Sequence, residues 1–177
     1  PAKKAELFIG NAGTAARFLS AFLTLGNGEY ILDGEPRMRE RPIGDLVEAL
    51  EQLGCDIQPM QNAEGKMQNG QICPPIKINA SGLKGGKTKI AGDISSQFLS
   101  ALLMTAPYAQ SPIEVELTTD LNSKPYVDMT ITIMKDFGVE IERNGYSRFT
   151  IHPSFFFPLS SYAIESDASA ASYFFAA

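Results

Sequence analysis

Asn11-Ala12-Gly13-Thr14-Ala15-Ala16-Arg17 sets a glycine, two short polar side chains and a guanidinium around the point where a helix begins. A helix start carries free N–H groups and a positive dipole end, which together suit an anion. Gly13 lets the backbone come close to whatever lies in front of those amides. Asn11 or Thr14 can cap them, and Arg17, one turn in, adds a fixed positive charge. The same chemistry returns at Ser95-Ser96-Gln97 and at Ser123-Lys124, and Arg37, Arg39 and Arg41 crowd into five residues. Hydroxyls and amides suit a phosphate, and a guanidinium forks onto a carboxylate or phosphate. A plain capped helix accounts for the first segment alone, but not for its recurrence with Ser, Gln, Arg and Lys.

Composition narrows the partners. The chain has 177 residues, 44% apolar and 20% charged, the balance of an ordered globular domain. A net charge of −5 argues against nucleic acid while leaving room for small anions at a local positive site. Two cysteines, Cys55 and Cys73, and one histidine, His152, are too few for a zinc site and read as packing or surface residues. The thiols are expected to be reduced, in a reducing compartment. No apolar run approaches a membrane span, and no leader is visible. The chain opens on Pro1 and closes at Ala177 inside a helical pattern, which reads as a piece of a longer protein.

These residues need elements to hold them. Residues 1–7 read as a polar lead-in. The first helix runs from about Thr14 to Leu25, with Ala15, Phe18, Leu19, Phe22 and Leu23 as its expected buried face. A strand follows at Glu29–Asp33, then a helix introduced by Pro42 and ended by Gly54, then a strand at Cys55–Gln58. Residues 59–75 read as a loop. Ile76–Asn79 and Lys87–Ala91 read as strands around a Gly-rich turn. Ser95-Ser96-Gln97 opens a helix and Ile113–Leu117 is a period-2 strand. The segment after Pro125 is rich in β-branched residues, yet Tyr126, Thr130, Ile133, Met134 and Phe137 share a helical face. Asn144-Gly145 marks a hairpin between Val139–Glu142 and Arg148–His152. A last strand is expected to end at Ile164, with a helix from Asp167.

The chain repeats itself. Arg17-Phe-Leu-Ser-Ala-Phe-Leu matches Gln97-Phe-Leu-Ser-Ala-Leu-Leu, Arg41-Pro-Ile-Gly-Asp-Leu matches Lys124-Pro-Tyr-Val-Asp-Met, and Leu53-Gly-Cys-Asp-Ile matches Phe137-Gly-Val-Glu-Ile. Each copy reads as helix, strand, basic-Pro loop, helix, strand and a strand pair, and a third starts at Asp167. Copies packed about a pseudo-axis can aim four helix starts at one end and sum their dipoles.

The stretches Leu7–Arg17, Asp33–Ile43, Ser95–Met104, Ser123–Met129 and Asp167–Phe174 resemble, in order, 5-enolpyruvylshikimate-3-phosphate synthase. The resemblance implies an α/β (α+β) fold of repeated βαβαββ units, the inverse α/β barrel of the enolpyruvyl transferases. Residues 1–164 would be two of the three copies of one globe, the first copy absent. Residues 165–177 would be the hinge and first helix of a second globe. It implies transfer of the enolpyruvyl group of phosphoenolpyruvate to shikimate 3-phosphate with release of phosphate, without metal or other cofactor, in an enzyme that glyphosate targets. It implies the cytoplasm, or the plastid for a plant source. By the same resemblance Ser95, Ser96, Gln97, Ser123 and Tyr126 contact shikimate 3-phosphate. Gly13, Arg41 and Gln97 hold phosphoenolpyruvate, with Asn11, Thr14 and Arg17 in support. Arg37, Arg39 and Lys124 read equally well as solvated charges.

Phe18 stands where many relatives carry proline, and Phe155-Phe156-Phe157 replaces a more polar segment. No general acid or base is apparent, so the chain is expected to need the other globe for activity. The competing reading is a non-catalytic anion-binding or assembly module on the same repeat.

Overall fold

The computed structural model describes residues 2–60, 71–154 and 161–176. Two four-stranded sheets of one design carry them. Strands β1 (Lys4–Phe8), β2 (Asn27–Asp33), β3 (Asp56–Pro59) and β4 (Ile76–Ser81) form the first, in the order β1-β2-β4-β3. Strands β5 (Gly86–Ile90), β6 (Ile113–Leu117), β7 (Ile141–Asn144) and β8 (Arg148–Ile151) form the second, in the order β5-β6-β8-β7. In each sheet the first pair is parallel and the other pairings are antiparallel.

Helices α1 (Gly13–Phe22) and α3 (Ser96–Thr105) follow the first strand of each unit, and α2 (Gly44–Gln52) and α4 (Lys124–Asp136) follow the second. Helix α5 (Ala168–Phe175) comes last. Both units are therefore βαβαββ. This corrects the expected boundaries. The polar lead-in is β1, its alternation held half-buried beside β2. The strands on either side of the Gly-rich turn do not pair: β4 closes the first unit and β5 opens the second. Hydrogen bonding to distant strands outweighs the short turn between them.

Because β1 and β2 are parallel, α1 and α2 both start at their carboxyl ends. The same holds for α3 and α4 above β5 and β6. Helix α3 is central: Ser96, Phe98, Leu99, Ser100, Ala101, Leu102, Leu103 and Thr105 are all buried, between α1 on one side and α4 on the other. Helix α1 packs against α3, and its buried residues are Ala16, Ser20 and Ala21 rather than the expected larger side chains. Small residues let two helices approach closely. Phe18, Leu19 and Leu23 pack at the margin, while Phe22 is 59% exposed. Buried hydroxyls stay satisfied, since Ser20 Oγ donates to the Ala16 carbonyl at 2.6 Å.

The two units are joined where α2 lies against β5. There the buried Thr88 hydroxyl donates to the Ala49 carbonyl at 2.8 Å, and the Lys89 amide donates to Gln52 Oε1 at 2.7 Å. Helix α2 starts at Gly44, not at Pro42. Helix α4 forms despite its β-branched content, held to α3 by a 2.9 Å hydrogen bond between Ser100 and Thr130. Its buried residues are Val127 and Met134; Tyr126, Ile133 and Phe137 of the expected face lie exposed. Residues 161–167 contain no strand, which corrects the one expected to end at Ile164. Asp167 Oδ1 accepts from the Ala170 amide at 3.0 Å at the start of α5. Phe155–Phe157 and most of the 59–75 loop lie outside the described residues.

Candidate functional site

Two hydrogen bonds bring the starts of α1 and α3 together. Arg17 Nη1 donates to Gln97 Oε1 at 2.7 Å, and Gln97 Nε2 donates to Thr14 Oγ1 at 3.2 Å. A methyl group built on Gly13 would meet the Arg41 guanidinium at 2.5–2.6 Å. The start of α1 is thus flanked by the start of α3 on one side and by the loop before α2 on the other. Arg41 Nη1 also reaches the Asn11 carbonyl, at the 3.5 Å limit of a hydrogen bond.

Neither Asn11 nor Thr14 caps α1. The capping position is Ala12, and no side chain bonds the first free amides. The Thr14 hydroxyl is taken up by Gln97 instead. The start of α3 is capped, with Ser95 Oγ accepting from the Gln97 amide at 3.3 Å, and Ser96 lies buried beside it. Ser123 precedes α4 in the left-handed conformation, φ +56°, and its side chain caps nothing. A non-glycine residue held there carries strain of about 1–3 kcal/mol. Tyr126 stands 61% exposed one turn further on.

Ser123 is tied to the rest by contacts that the sequence motifs do not mark. Thr119 Oγ1 accepts from the amides of Gly92 and Asp93 at 2.9 and 3.2 Å and donates to Asp93 Oδ1 at 2.7 Å. Asn122 donates from its side chain to the Asp93 carbonyl at 2.7 Å and from its amide to the Gly92 carbonyl at 3.0 Å. The loop before α4 is so laced to the loop before α3. Periodicity carries no sign of this lacing; the one available signal was the run of Thr, Asp and Asn between strand and helix.

The structure also sorts the arginines. Arg39 forks onto Asp33 with contacts of 2.9 and 2.7 Å, and Arg37 pairs with Glu40 at 2.6 Å. Arg41 and Arg17 have no carboxylate partner among the described residues. The Arg17 Nε is shielded from solvent and finds no acceptor there, while its guanidinium carbon lies 5.5 Å from the Phe98 ring centroid. Burial, and after it the charge of Arg41, holds the Arg17 pKa below the usual arginine value. Two like charges without counter-charge make a local positive field in a chain of net charge −5. Lys124 sits 5.1 Å over the Tyr146 ring. It borders a separate cleft of about 540 Å³ lined by Thr118, Thr119, Asp120 and Tyr146, which holds none of the α1–α3 contacts.

Among the described residues no three His, Cys, Asp or Glu side chains converge to hold a metal. Cys55 and Cys73 are free thiols whose pKa burial pushes up. His152 is exposed beside Glu142 at 3.4 Å. Among the described residues no helix is long and apolar enough to cross a membrane.

The family profile of EPSP synthase (3-phosphoshikimate 1-carboxyvinyltransferase) matches residues 1–177. The chain belongs to the EPSP synthase family. Relatives named 3-phosphoshikimate 1-carboxyvinyltransferase include one from Sulfurovum sp. (strain NBC37-1), 53% identical over 173 residues, and one from Vibrio vulnificus (strain YJ016), 51% identical over 174. Each alignment takes in 97% of this chain and 39% of the relative, so the chain spans well under half the length of the relatives it matches. Among solved structures, the EPSP synthase from Acinetobacter baumannii superposes with a TM-score of 0.67 at 22% identity, over 85% of this chain and 31% of that one. The enolpyruvyl transferase NikO from Streptomyces tendae gives 0.52 at 18% identity, over 77% and 29%. These likenesses establish the fold shared with EPSP synthases.

Proposed function

We propose that this chain supplies part of the substrate face of an enolpyruvyl transferase that moves the enolpyruvyl group of phosphoenolpyruvate to shikimate 3-phosphate and releases phosphate. One observation carries the reading: Gly13, Thr14, Arg17, Arg41 and Gln97, drawn from two repeat units, meet at adjoining helix starts with two arginine charges unneutralised among the described residues. Ser95, Ser96 and Ser123 offer hydroxyls to the phosphate of shikimate 3-phosphate, and Tyr126 lies against its ring. Gly13, Arg41 and Gln97 hold phosphoenolpyruvate, with Asn11, Thr14 and Arg17 in support.

The two βαβαββ units are two of the three copies of one globe, and α5 belongs to the entry into the second. The repeat supports this. In the first unit Ala49 is buried where α2 meets the next unit's sheet, and Leu53 is buried just past the end of α2. Aligned through Gly54 and Gly138, their counterparts are Ile133 on α4 and Phe137 just past its end, 39% and 36% exposed. A further copy would cover them. The acid and base belong to the other globe, so this chain alone binds without turning over. Free thiols suit the reducing cytoplasm.

Titration of the 15N-labelled chain with shikimate 3-phosphate tests the reading. Saturable shifts at Ser95, Ser96, Gln97 and Ser123 are expected, together with no phosphate release when both substrates are supplied. Shifts confined to β3 and the segment after it would overturn the site. Binding of any phosphate compound with equal strength would favour a general anion-binding module.

A further inference from the structure

We propose that Arg17 is a positioning residue that fixes the side-chain amide of Gln97, so that Gln97 faces the bound anion as a donor and never as an acceptor. A glutamine amide can present either its oxygen or its nitrogen in a given direction, and the two fit a site almost equally well by shape. Chemistry removes the ambiguity here. A guanidinium only donates, so the atom 2.7 Å from Arg17 Nη1 must be the oxygen. The nitrogen then faces Thr14 Oγ1 at 3.2 Å, which uses one of its two N–H bonds. The second N–H remains for a ligand at the α1–α3 seam. Turned the other way, the amide would set its oxygen against an anionic ligand and its nitrogen against a guanidinium.

Arg17 is itself held to this task. Its guanidinium lies over the Phe98 ring and its shaft is packed deeply enough that Nε is out of solvent. Arg17 and Gln97 occupy the same place in successive repeats, so one copy of the helix start orients the other. Lysine has neither the plane to lie on Phe98 nor the rigid fork.

This inference rests on the proposed substrate reading for its ligand, but the amide orientation can be read without one. In the ligand-free chain, NMR should show the Gln97 NH2 protons close to Thr14 and remote from the Arg17 guanidinium protons. The reverse proximity would overturn the proposal, and this measurement needs no substitution. In Arg17→Met the Gln97 side-chain amide should lose its fixed orientation, its NH2 protons losing their proximity to Thr14 and moving to the shifts of a freely rotating side chain; an unchanged, ordered amide would also overturn it.

With phosphoenolpyruvate as probe, Arg17→Met should weaken binding roughly 10- to 100-fold, the effect of losing a hydrogen bond to a charged group. In a Gln97→Met background the same change should cost distinctly less, the remainder being the lost Arg17 charge, and Arg17→Lys should recover part of the loss. Equal losses in both backgrounds would mean that Arg17 acts by its charge alone. Should phosphoenolpyruvate and shikimate 3-phosphate both fail to bind the unsubstituted chain, the substrate reading falls, while the amide spectrum still decides the role of Arg17.

Discussion

Arg17 donates to Gln97 at 2.7 Å although the two lie 80 residues apart, and they hold equivalent positions in the two βαβαββ units. The contact sets the starts of α1 and α3 side by side, so that the repeat brings their free amides and nearby cations to one place.

Gly13 is tight against Arg41, not against backbone, so a methyl group there has a flexible neighbour that can move. Gly13→Ala should leave thermal stability within about 0.5 kcal/mol of the original. Its effect should fall on the ligand, because the displaced guanidinium no longer stands where it does. Phosphoenolpyruvate affinity should drop roughly tenfold, on the order of the 1–3 kcal/mol typical of overpacking a tight site. Calorimetric titration beside a thermal melt measures both; a large loss of stability with unchanged affinity would contradict the placement of Arg41.

Ser123 sets strain against function. Ser123→Gly relieves the left-handed conformation at φ +56°, whereas Ser123→Ala keeps it. The glycine variant should be the more stable of the two by about 1 kcal/mol. Both remove the hydroxyl, so both should weaken shikimate 3-phosphate binding alike. Urea unfolding and ligand titration of the pair separate the two effects.

Where α2 meets β5, Thr88 is 1% exposed and its hydroxyl reaches the Ala49 carbonyl across the two units. Thr88→Val keeps the shape and deletes the bond. Leaving a buried acceptor short of its donor should cost about 1–2 kcal/mol, and in a chain of this length that lowers Tm by roughly 2–8 °C. A differential scanning trace that matches the original would show that the joint does not need the bond.

Asp128 accepts from the Tyr146 hydroxyl and pairs with Arg143, each at 2.6 Å. These contacts, the tyrosine first, hold its pKa below the usual aspartate value. The unfolded chain thus binds this proton more tightly than the folded one. The contribution is complete above the ordinary aspartate range and is lost as pH falls through the lowered folded value. Asp128→Asn should therefore be less stable at neutral pH and approach the original protein in acid. Urea midpoints across that range test it, and parallel curves would rule it out.

The sequence by itself determined the helices, most strands and the repeat, because 3.6- and 2-residue periods and Gly stops such as Gly54 and Gly138 are written locally. The matched motifs named the residues of the candidate site and implied the family they resemble. Tertiary structure decided what those residues do to one another. It sent β4 and β5 to different sheets, neutralised Arg37 and Arg39 with Glu40 and Asp33, and left Arg41 without a carboxylate partner among the described residues. It turned Thr14 from a cap into a partner of Gln97, and it exposed Tyr126 while burying Val127. The arginine pairs are short-range, but which way each side chain turns depends on how the loop between β2 and α2 is folded. The remaining outcomes depend on segments far apart in the chain, where free energy comes from pairing and burial that no local window contains.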